Sequence, residues 1–122
     1  MNKYRNVRIE YDGAFFDSKK EYRRYCELKL LERAGEIRSL ERQVKYIVIP
    51  PQYEQVTDAK GKRKQKCIER ECSYVADFRY QDARTEEVIV EDVKSSATKK
   101  KESYIIKRKL MLEKYGIKIK EV

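Results

Sequence analysis

The spacing of apolar residues changes along the chain and divides it into helical and extended segments. Residues 16 to 35 carry apolar side chains at four-residue spacing from Tyr22 to Leu30, which is typical of a helix with one side against a core. Ser18 and Glu21 have the spacing of a capping box, in which a hydroxyl oxygen and a carboxylate accept the free N–H groups at a helix start. We therefore predict a helix at this point.

The middle of the chain predicts three strands and one basic segment. Residues 37 to 51 are rich in β-branched residues and end at a double proline, and residues 67 to 82 alternate well enough for a long strand. Residues 87 to 94, "EVIVEDVK", carry nearly continuous Val and Ile, as expected inside a sheet. Residues 52 to 66 are dense in basic residues without an apolar period, and this pattern indicates an exposed hairpin tip or a flexible loop.

The last third of the chain predicts a loop, a helix and a short strand. Residues 95 to 102 are polar and basic, residues 103 to 116 have apolar positions suited to a second helix, and residues 117 to 122 alternate. The order is α-β-β-β-α-β. We expect a single α/β domain over residues 1 to 122, with a mixed central sheet flanked by helices.

The charge balance indicates the class of partner. The chain has 30 Lys and Arg against 21 Asp and Glu, a formal charge of +9, which suits a polyanion such as nucleic acid. It contains no apolar run long enough to cross a bilayer, and residues 1 to 11 have no apolar signal core. These features predict a cytoplasmic protein that does not enter a membrane.

The cysteine and histidine content restricts the chemistry. The three cysteines have no CxxC spacing and there is no histidine, which argues against a disulfide framework and a zinc site. Histidine-based nucleophilic and acid–base mechanisms are excluded. An enzyme with this composition must use carboxylates, lysines, tyrosines or a hard metal ion.

The charged end of the third predicted strand is the strongest functional signal. Residues two apart in a strand point to one face, so Asp92 and Lys94 lie together, whereas Glu91 points away and can pair with a helix lysine. Charges at the end of an interior strand are costly unless they are paired or bind something. If residues 81 to 86 form a hairpin turn, Asp77 lies level with Asp92.

Two such carboxylates would lie about 5 Å apart and repel each other unless a cation lies between them. Oxygen ligands at this spacing suit Mg²⁺ or Mn²⁺. Lys94 beside that ion can orient a water molecule and stabilise charge on a phosphate. The pattern therefore predicts a phosphodiester hydrolase in which Asp77 and Asp92 bind the metal.

These residues resemble a known signature. Asp77 followed by Asp92-Val93-Lys94 is similar to the D…(D/E)xK motif of the PD-(D/E)xK nuclease superfamily, whose shared core has the order α-β-β-β-α-β. More narrowly, "FDSKKEYRRY", "YVADFRY" and "VEDVKS" resemble small phage-encoded endonuclease-like proteins related to Holliday-junction resolvases of the RecU and archaeal types. The resemblance covers roughly residues 13 to 120. It implies a restriction-endonuclease-like fold and metal-dependent cleavage of branched DNA in phage recombination or replication.

The resemblance also implies positions in this chain. Glu21 matches the first-helix glutamate that completes the metal site or positions water, Asp77 matches the second-strand aspartate, and Asp92 and Lys94 match the acidic and basic pair of the third strand. Ala76 replaces the proline of the superfamily's name. Because a four-way junction has two symmetric strands to cut, the resemblance also implies a homodimer.

The basic segments are candidate DNA contacts. On this interpretation they bind phosphates, and the candidates are Lys60, Lys62, Arg63, Lys64, Lys66, Lys99, Lys100 and Lys101. The competing explanation is that both clusters are exposed loops whose charges contact only solvent.

Other interpretations remain open at this point. A capping box explains Glu21 without any metal, and Asp77 could be a surface carboxylate. Gln43 on the first strand is a further candidate near the site. The whole chain could be a non-catalytic DNA-binding protein on the same fold, or a nuclease that acts on RNA.

Overall fold

The computed structural model describes residues 9–11 and 13–122, so much of the segment examined for a signal core lies outside the described residues. Its elements in chain order are β1 Ile9–Tyr11, β2 Ala14–Phe16, α1 Lys19–Arg33, β3 Ile37–Ile49, β4 Gln52–Thr57, β5 Arg63–Glu69, β6 Cys72–Asp82, β7 Val88–Asp92, α2 Ser96–Lys99, α3 Glu102–Tyr115 and β8 Lys120–Glu121.

The central sheet has four strands in the order β3-β6-β7-β8. Strand β6 runs antiparallel to both β3 and β7, and β8 runs parallel to β7. Two separate hairpins, β1–β2 and β4–β5, add two-stranded sheets. The protein is thus a mixed α/β fold, as predicted, and α1, β3, β6, β7, α3 and β8 follow the predicted α-β-β-β-α-β order.

Two hydrophobic clusters cover opposite faces of the sheet. Val90 packs in the cluster that contains Tyr104 and Met111 of α3, whereas its neighbour Ile89 packs against the cluster that contains Leu28 of α1. Adjacent residues of a strand point to opposite faces. Helices α1 and α3 therefore lie on opposite sides of β7.

The even-numbered side chains of β6 point to one face of the sheet in its first half and to the other face in its second half. Tyr74 and Ala76 belong to the α3 cluster, but Phe78 and Tyr80 belong to the α1 cluster, although all four are even-numbered. Asp77 lies at the change. On β3, the residue between the partners of Ala76 and Phe78 is Gln43, whose φ of 52° is in the left-handed region.

The core side of α1 differs from the predicted one. Glu21 and Leu28 are the buried residues of this helix, whereas Leu30, at the end of the predicted apolar row, is 64% exposed. The row from Tyr22 to Leu30 is therefore displaced from the centre of the contact with the sheet. A count of apolar residues missed this because the inward face carries a carboxylate.

The basic segment, predicted as a hairpin tip or a flexible loop, forms the hairpin β4–β5. Its turn is held by Asp58, whose Oδ1 accepts the N–H groups of Lys60 and Lys62, each at 2.9 Å. Two other segments differ from the prediction. The predicted strand over residues 67 to 82 is interrupted, because β5 takes its first residues into the hairpin. The predicted loop over residues 95 to 102 contains α2, which Ser95 caps.

The helices of the described part of the chain are too short or too polar to cross a membrane.

Candidate active site between the two helices

Asp77 and Asp92 lie side by side on neighbouring strands. In the antiparallel register of β6 and β7, Phe78 is level with Glu91, so the next rung places Asp77 level with Asp92. The side chain of Asp77 also reaches the residue that follows β7, where its Oδ2 accepts the Val93 N–H at 2.8 Å. The structure therefore brings together the two carboxylates that the hairpin prediction paired.

The side chain of Asp92 is fully buried with one oxygen unsatisfied. Its Oδ2 accepts a hydrogen bond from the Tyr74 hydroxyl and lies 3.1 Å from Lys94 Nζ. Its Oδ1 is buried and has no hydrogen-bond partner among the described residues. A buried carboxylate oxygen without a partner is costly, and it is a free ligand for a cation.

The proximity of the carboxylates changes the acidity of Asp77. Burial, followed by the close approach of the Asp92 carboxyl group and its charge, raises the pKa of Asp77 from 3.8 to about 8, although the Val93 N–H acts in the opposite direction. Desolvation and a like charge both disfavour the ionised carboxylate. Without a metal ion, the Asp77–Asp92 pair therefore favours a protonated Asp77 at neutral pH. A cation bound between the two carboxylates would displace that proton.

Glu21 caps α1 and also lies at the site. The Glu21 N–H donates to Ser18 Oγ at 3.2 Å, while Glu21 Oε2 accepts the Asp17 N–H at 3.2 Å. The carboxylate is nevertheless buried, and this burial raises its pKa above the ordinary value. The two interpretations of Glu21 are therefore compatible, because one oxygen serves the cap and the other points to the sheet.

Gln43 connects Glu21 to the carboxylate pair. Its amide nitrogen donates to Glu21 Oε1 at 3.2 Å and to Asp77 Oδ1 at 3.4 Å. Glu21 comes from the α1 face of the sheet, and Asp92, next to Asp77, belongs to the α3 face. Groups from both faces come together because β3 and β6 change the face that they present at Gln43 and Asp77. With strict alternation along these strands, the two sets of groups would stay on opposite faces.

Arg42 and Lys20 are cations on the α1 side of the site. Arg42 lies 3.6 Å from Glu21 Oε1, with its guanidinium 3.8 Å from the centre of the Phe16 ring. The Lys20 ammonium donates to the Lys94 carbonyl at 3.2 Å. The start of α1 is therefore tied to the end of β7, where the predicted chemistry lies.

Glu91 points away from Asp92, as predicted, but its partner is an arginine. Arg24 of α1 donates to both Glu91 oxygens, through Nε at 2.6 Å and through a terminal nitrogen at 2.8 Å. The Tyr80 hydroxyl also donates to Glu91, and Lys120 lies 4.0 Å away. This buried pair fixes α1 against β7 one turn beyond Glu21.

The arrangement suits a hard cation with few protein ligands. The described residues contain no cluster of three or more Asp, Glu, Cys or His side chains placed to hold a metal ion. Mg²⁺ is commonly bound by one or two carboxylates together with water and substrate phosphates. Asp77 and the unsatisfied oxygen of Asp92 fit that requirement. Glu21 is connected to Asp77 through the side-chain amide of Gln43.

The predicted DNA-binding residues lie in two places. The basic residues of the β4–β5 hairpin are exposed, and Lys64 lies 3.7 Å from Asp58. Asp77 lies roughly 17 Å along β6 from Cys72, at about 3.4 Å per residue, so the hairpin is remote from the carboxylates. Lys101, by contrast, lines a cleft shared with Lys94.

Sequence reasoning missed three residues that organise the site. They are Tyr74, which donates to Asp92, Arg24, which holds Glu91, and Arg42, which lies beside Glu21. The lone signal for Tyr74 was its position on the predicted strand of Asp77. The two arginines lie among many other charged residues, and nothing in the pattern separated them.

The fold and site define a mixed α/β protein with a buried carboxylate pair and an adjacent lysine. The chain matches, over residues 1–121, the family described as "Protein of unknown function (DUF1064)", and it belongs to that family. No curated protein and no solved structure matches the chain.

Proposed function

We propose that this protein is a divalent-metal-dependent endodeoxyribonuclease of the PD-(D/E)xK type that hydrolyses phosphodiester bonds in branched DNA. The observation that carries the proposal is the convergence of Asp77 and Asp92, with Lys94 Nζ 3.1 Å from Asp92 and one Asp92 oxygen unsatisfied. This is the arrangement of groups expected for phosphodiester hydrolysis without histidine.

Asp77 and Asp92 would hold the metal, with Glu21 assisting through Gln43. Mg²⁺ or Mn²⁺, when bound, supplies polarisation of the phosphate and a more acidic bound water. The remaining tasks belong to the chain. The hydroxyl of Tyr74 fixes the orientation of Asp92, and Gln43 limits the distance between Glu21 and Asp77.

Lys94 is placed to act on water or phosphate. Its ammonium is held by Asp92 and lies 5.0 Å from the centre of the Tyr104 ring, and its side chain is 20% exposed. An ammonium that is neither fully solvated nor fully buried can donate hydrogen bonds to an attacking water and to a phosphate oxygen. Lys94 therefore has the role of orienting water and stabilising developing charge.

The sheet order and the placement of helices on both faces support a restriction-endonuclease-like topology. The choice of branched DNA, the phage context and the homodimer follow from the sequence resemblance. The +9 charge and the two basic segments support a polyanionic substrate. None of the strands carries an evident base-reading pattern, so DNA shape is the expected determinant of specificity.

A cleavage panel tests the proposal. Wild type, Asp77→Ala and Asp92→Ala are incubated with labelled four-way junction, flap, linear duplex and single-stranded DNA, with Mg²⁺, Mn²⁺ or EDTA. Wild type should cut branched DNA only with metal, and both variants should lose at least about 100-fold in rate while binding DNA with unchanged affinity. Glu113→Ala, which alters an exposed carboxylate of α3, is the matched control and should cut normally.

A non-catalytic DNA-binding protein is the second candidate. The observation in its favour is that the described residues hold no cluster of three metal-binding side chains. Junction binding without cleavage under every metal condition would establish this candidate and refute the nuclease. An RNA oligonucleotide in the same panel tests the third candidate, because preferential RNA cleavage would redefine the substrate.

A further inference from the structure

A small basic cleft adjoins the carboxylate pair on the α3 side. Its lining combines the start of β6 with the α2–α3 junction, and its volume is about 220 Å³. The described residues that line it include no carboxylate, and those that bear on its chemistry are Lys94, Thr98, Lys101, Ser103, Tyr104 and Lys107.

We infer that this cleft binds one phosphate group of the DNA strand, next to the phosphate that is cut, and that Lys107 is its central ligand. The inference rests on the proposed function for the identity of the strand. Lys94, Lys101 and Lys107 supply three ammonium groups, and Thr98 and Ser103 supply hydroxyls. Lys94 also pairs with Asp92, but the lining itself contains no carboxylate. Ammonium and hydroxyl donors in such a lining are suited to an anion with several acceptor oxygens.

The size of the cleft is compatible with a phosphate group. Pockets for drug-sized ligands measure about 300–1,000 Å³. At about 220 Å³, this cleft is smaller than those pockets, and a single phosphate group fits inside it. The ammonium and hydroxyl donors of the lining then indicate that the phosphate of a nucleotide enters the cleft.

The connection to the carboxylate pair comes from Lys94. This residue lines the cleft and contacts Asp92 at 3.1 Å, so a phosphate in the cleft lies beside the metal ligands. The ring of Tyr104 lies under the Lys94 ammonium, and its hydroxyl is already engaged by Glu121 at 2.7 Å. Tyr104 is therefore a fixed wall of the cleft, and the lysines and smaller hydroxyls face the ligand.

Lys107 is the informative residue because it is half-buried and lies outside the basic segments. It is four residues after Ser103 on α3, so the two share one side of the helix. Lys109 lies on the same helix but lines a different groove, together with Leu112 and Ile117. Lys109 therefore provides a matched control with the same change in charge.

The test measures binding of fluorescein-labelled junction DNA over a series of salt concentrations, with Ca²⁺ replacing Mg²⁺. Lys107→Ala should weaken binding about tenfold and lower the salt slope by about one unit, whereas Lys109→Ala should leave both at the wild-type value. Lys107→Gln, together with melting curves for each variant, separates loss of the charge from loss of folding. Identical affinity and slope for wild type and Lys107→Ala would overturn the inference while leaving the nuclease proposal intact.

The source of the phosphate is tested with DNA that carries a single uncharged methylphosphonate linkage, moved stepwise past the cut site. One position should weaken wild type but cause no further loss in Lys107→Ala, and this result would identify the bound backbone phosphate. Competition by inorganic phosphate, without any sensitive linkage, would overturn the assignment to the DNA backbone. A wild type that binds junctions through Lys107 but never cuts them would refute the nuclease and leave the cleft assignment standing.

Discussion

Arg24 and Glu91 form a two-point ion pair that joins the first helix to an interior strand. The two hydrogen bonds measure 2.6 and 2.8 Å, Glu91 is fully buried, and the Arg24 side chain is 17% exposed. The pair lies one helical turn from Glu21 and one residue from Asp92. It therefore holds together the two elements that supply the candidate catalytic residues.

Removing one member of this pair should destabilise the fold. Arg24→Ala leaves the Glu91 carboxylate buried without its main partner, and we expect a loss of about 3 kcal/mol in the free energy of unfolding, measured in urea. The double variant Arg24→Met, Glu91→Leu removes both charges and should recover most of that loss. A single variant within about 0.5 kcal/mol of wild type would contradict this assignment.

Replacing Asp77 should stabilise the metal-free protein in a pH-dependent way. The folded pKa of about 8 exceeds the ordinary 3.8, so the folded state holds its proton more strongly than the unfolded state does. Wild-type stability should consequently fall as pH rises from about 4 to 8, and the penalty should remain above that range.

Asp77→Asn lacks this penalty. In EDTA at pH 8.5 it should be more stable than wild type by about 1–3 kcal/mol, and the difference should vanish near pH 4. Melting curves at several pH values measure the effect, with Glu113→Gln as a control that should show no such trend. An Asp77→Asn protein less stable than wild type at high pH would show that the carboxylate pair is not strained.

Gln43 and Ser39 allow backbone strain to be separated from site geometry. Both have left-handed backbones, with φ of 52° and 58°, so Ser39→Gly should raise stability by about 0.5–1 kcal/mol. In Gln43→Gly, the loss of the hydrogen bonds to the buried Glu21 and to Asp77 should offset that gain. Gln43→Gly also removes the amide that joins Glu21 to Asp77, and its cleavage rate should fall about tenfold. Ser39→Gly should cut at the wild-type rate; equal rates for the two variants would mean that the amide has no role.

The β4–β5 hairpin should supply part of the salt-dependent DNA affinity. Replacing four of its cations by serine should reduce the slope of log affinity against log salt by up to about 0.9 per lost phosphate contact. The cations are Lys60, Lys62, Arg63 and Lys66, and the matched control replaces Lys29, Lys109, Lys114 and Lys118. The slope and affinity are read by fluorescence anisotropy, and an equal reduction in both sets would mean that net charge, rather than the hairpin, is responsible.

The element order and the Asp77–Asp92 pairing could be predicted because both depend on local rules. Val88 to Val90 identify an interior strand, and an antiparallel hairpin fixes which residues are level. Gln43 was named from the sequence as a candidate near the site. The hydrogen bonds by which it joins Glu21 to Asp77 could not be predicted, since they require a left-handed φ that glutamine seldom adopts.

Arg24 could not be identified from the sequence either. Helix α1 is rich in charge, and a periodicity of apolar residues says nothing about which polar residue faces the sheet. The same limitation explains why Leu30 was expected to face the core and is instead exposed. Long-range ion pairs of this kind depend on the distance between α1 and β7, which has no local signature.

The change of side at Gln43 and Asp77 has a mechanical consequence. It divides β3 and β6 into one half that packs with α1 and another that packs with α3, and the acidic groups lie at the boundary between these halves. Neither half by itself determines how far apart the acidic groups lie. A ligand that binds between these groups must therefore contact both halves, so that its binding also restricts their movement relative to each other.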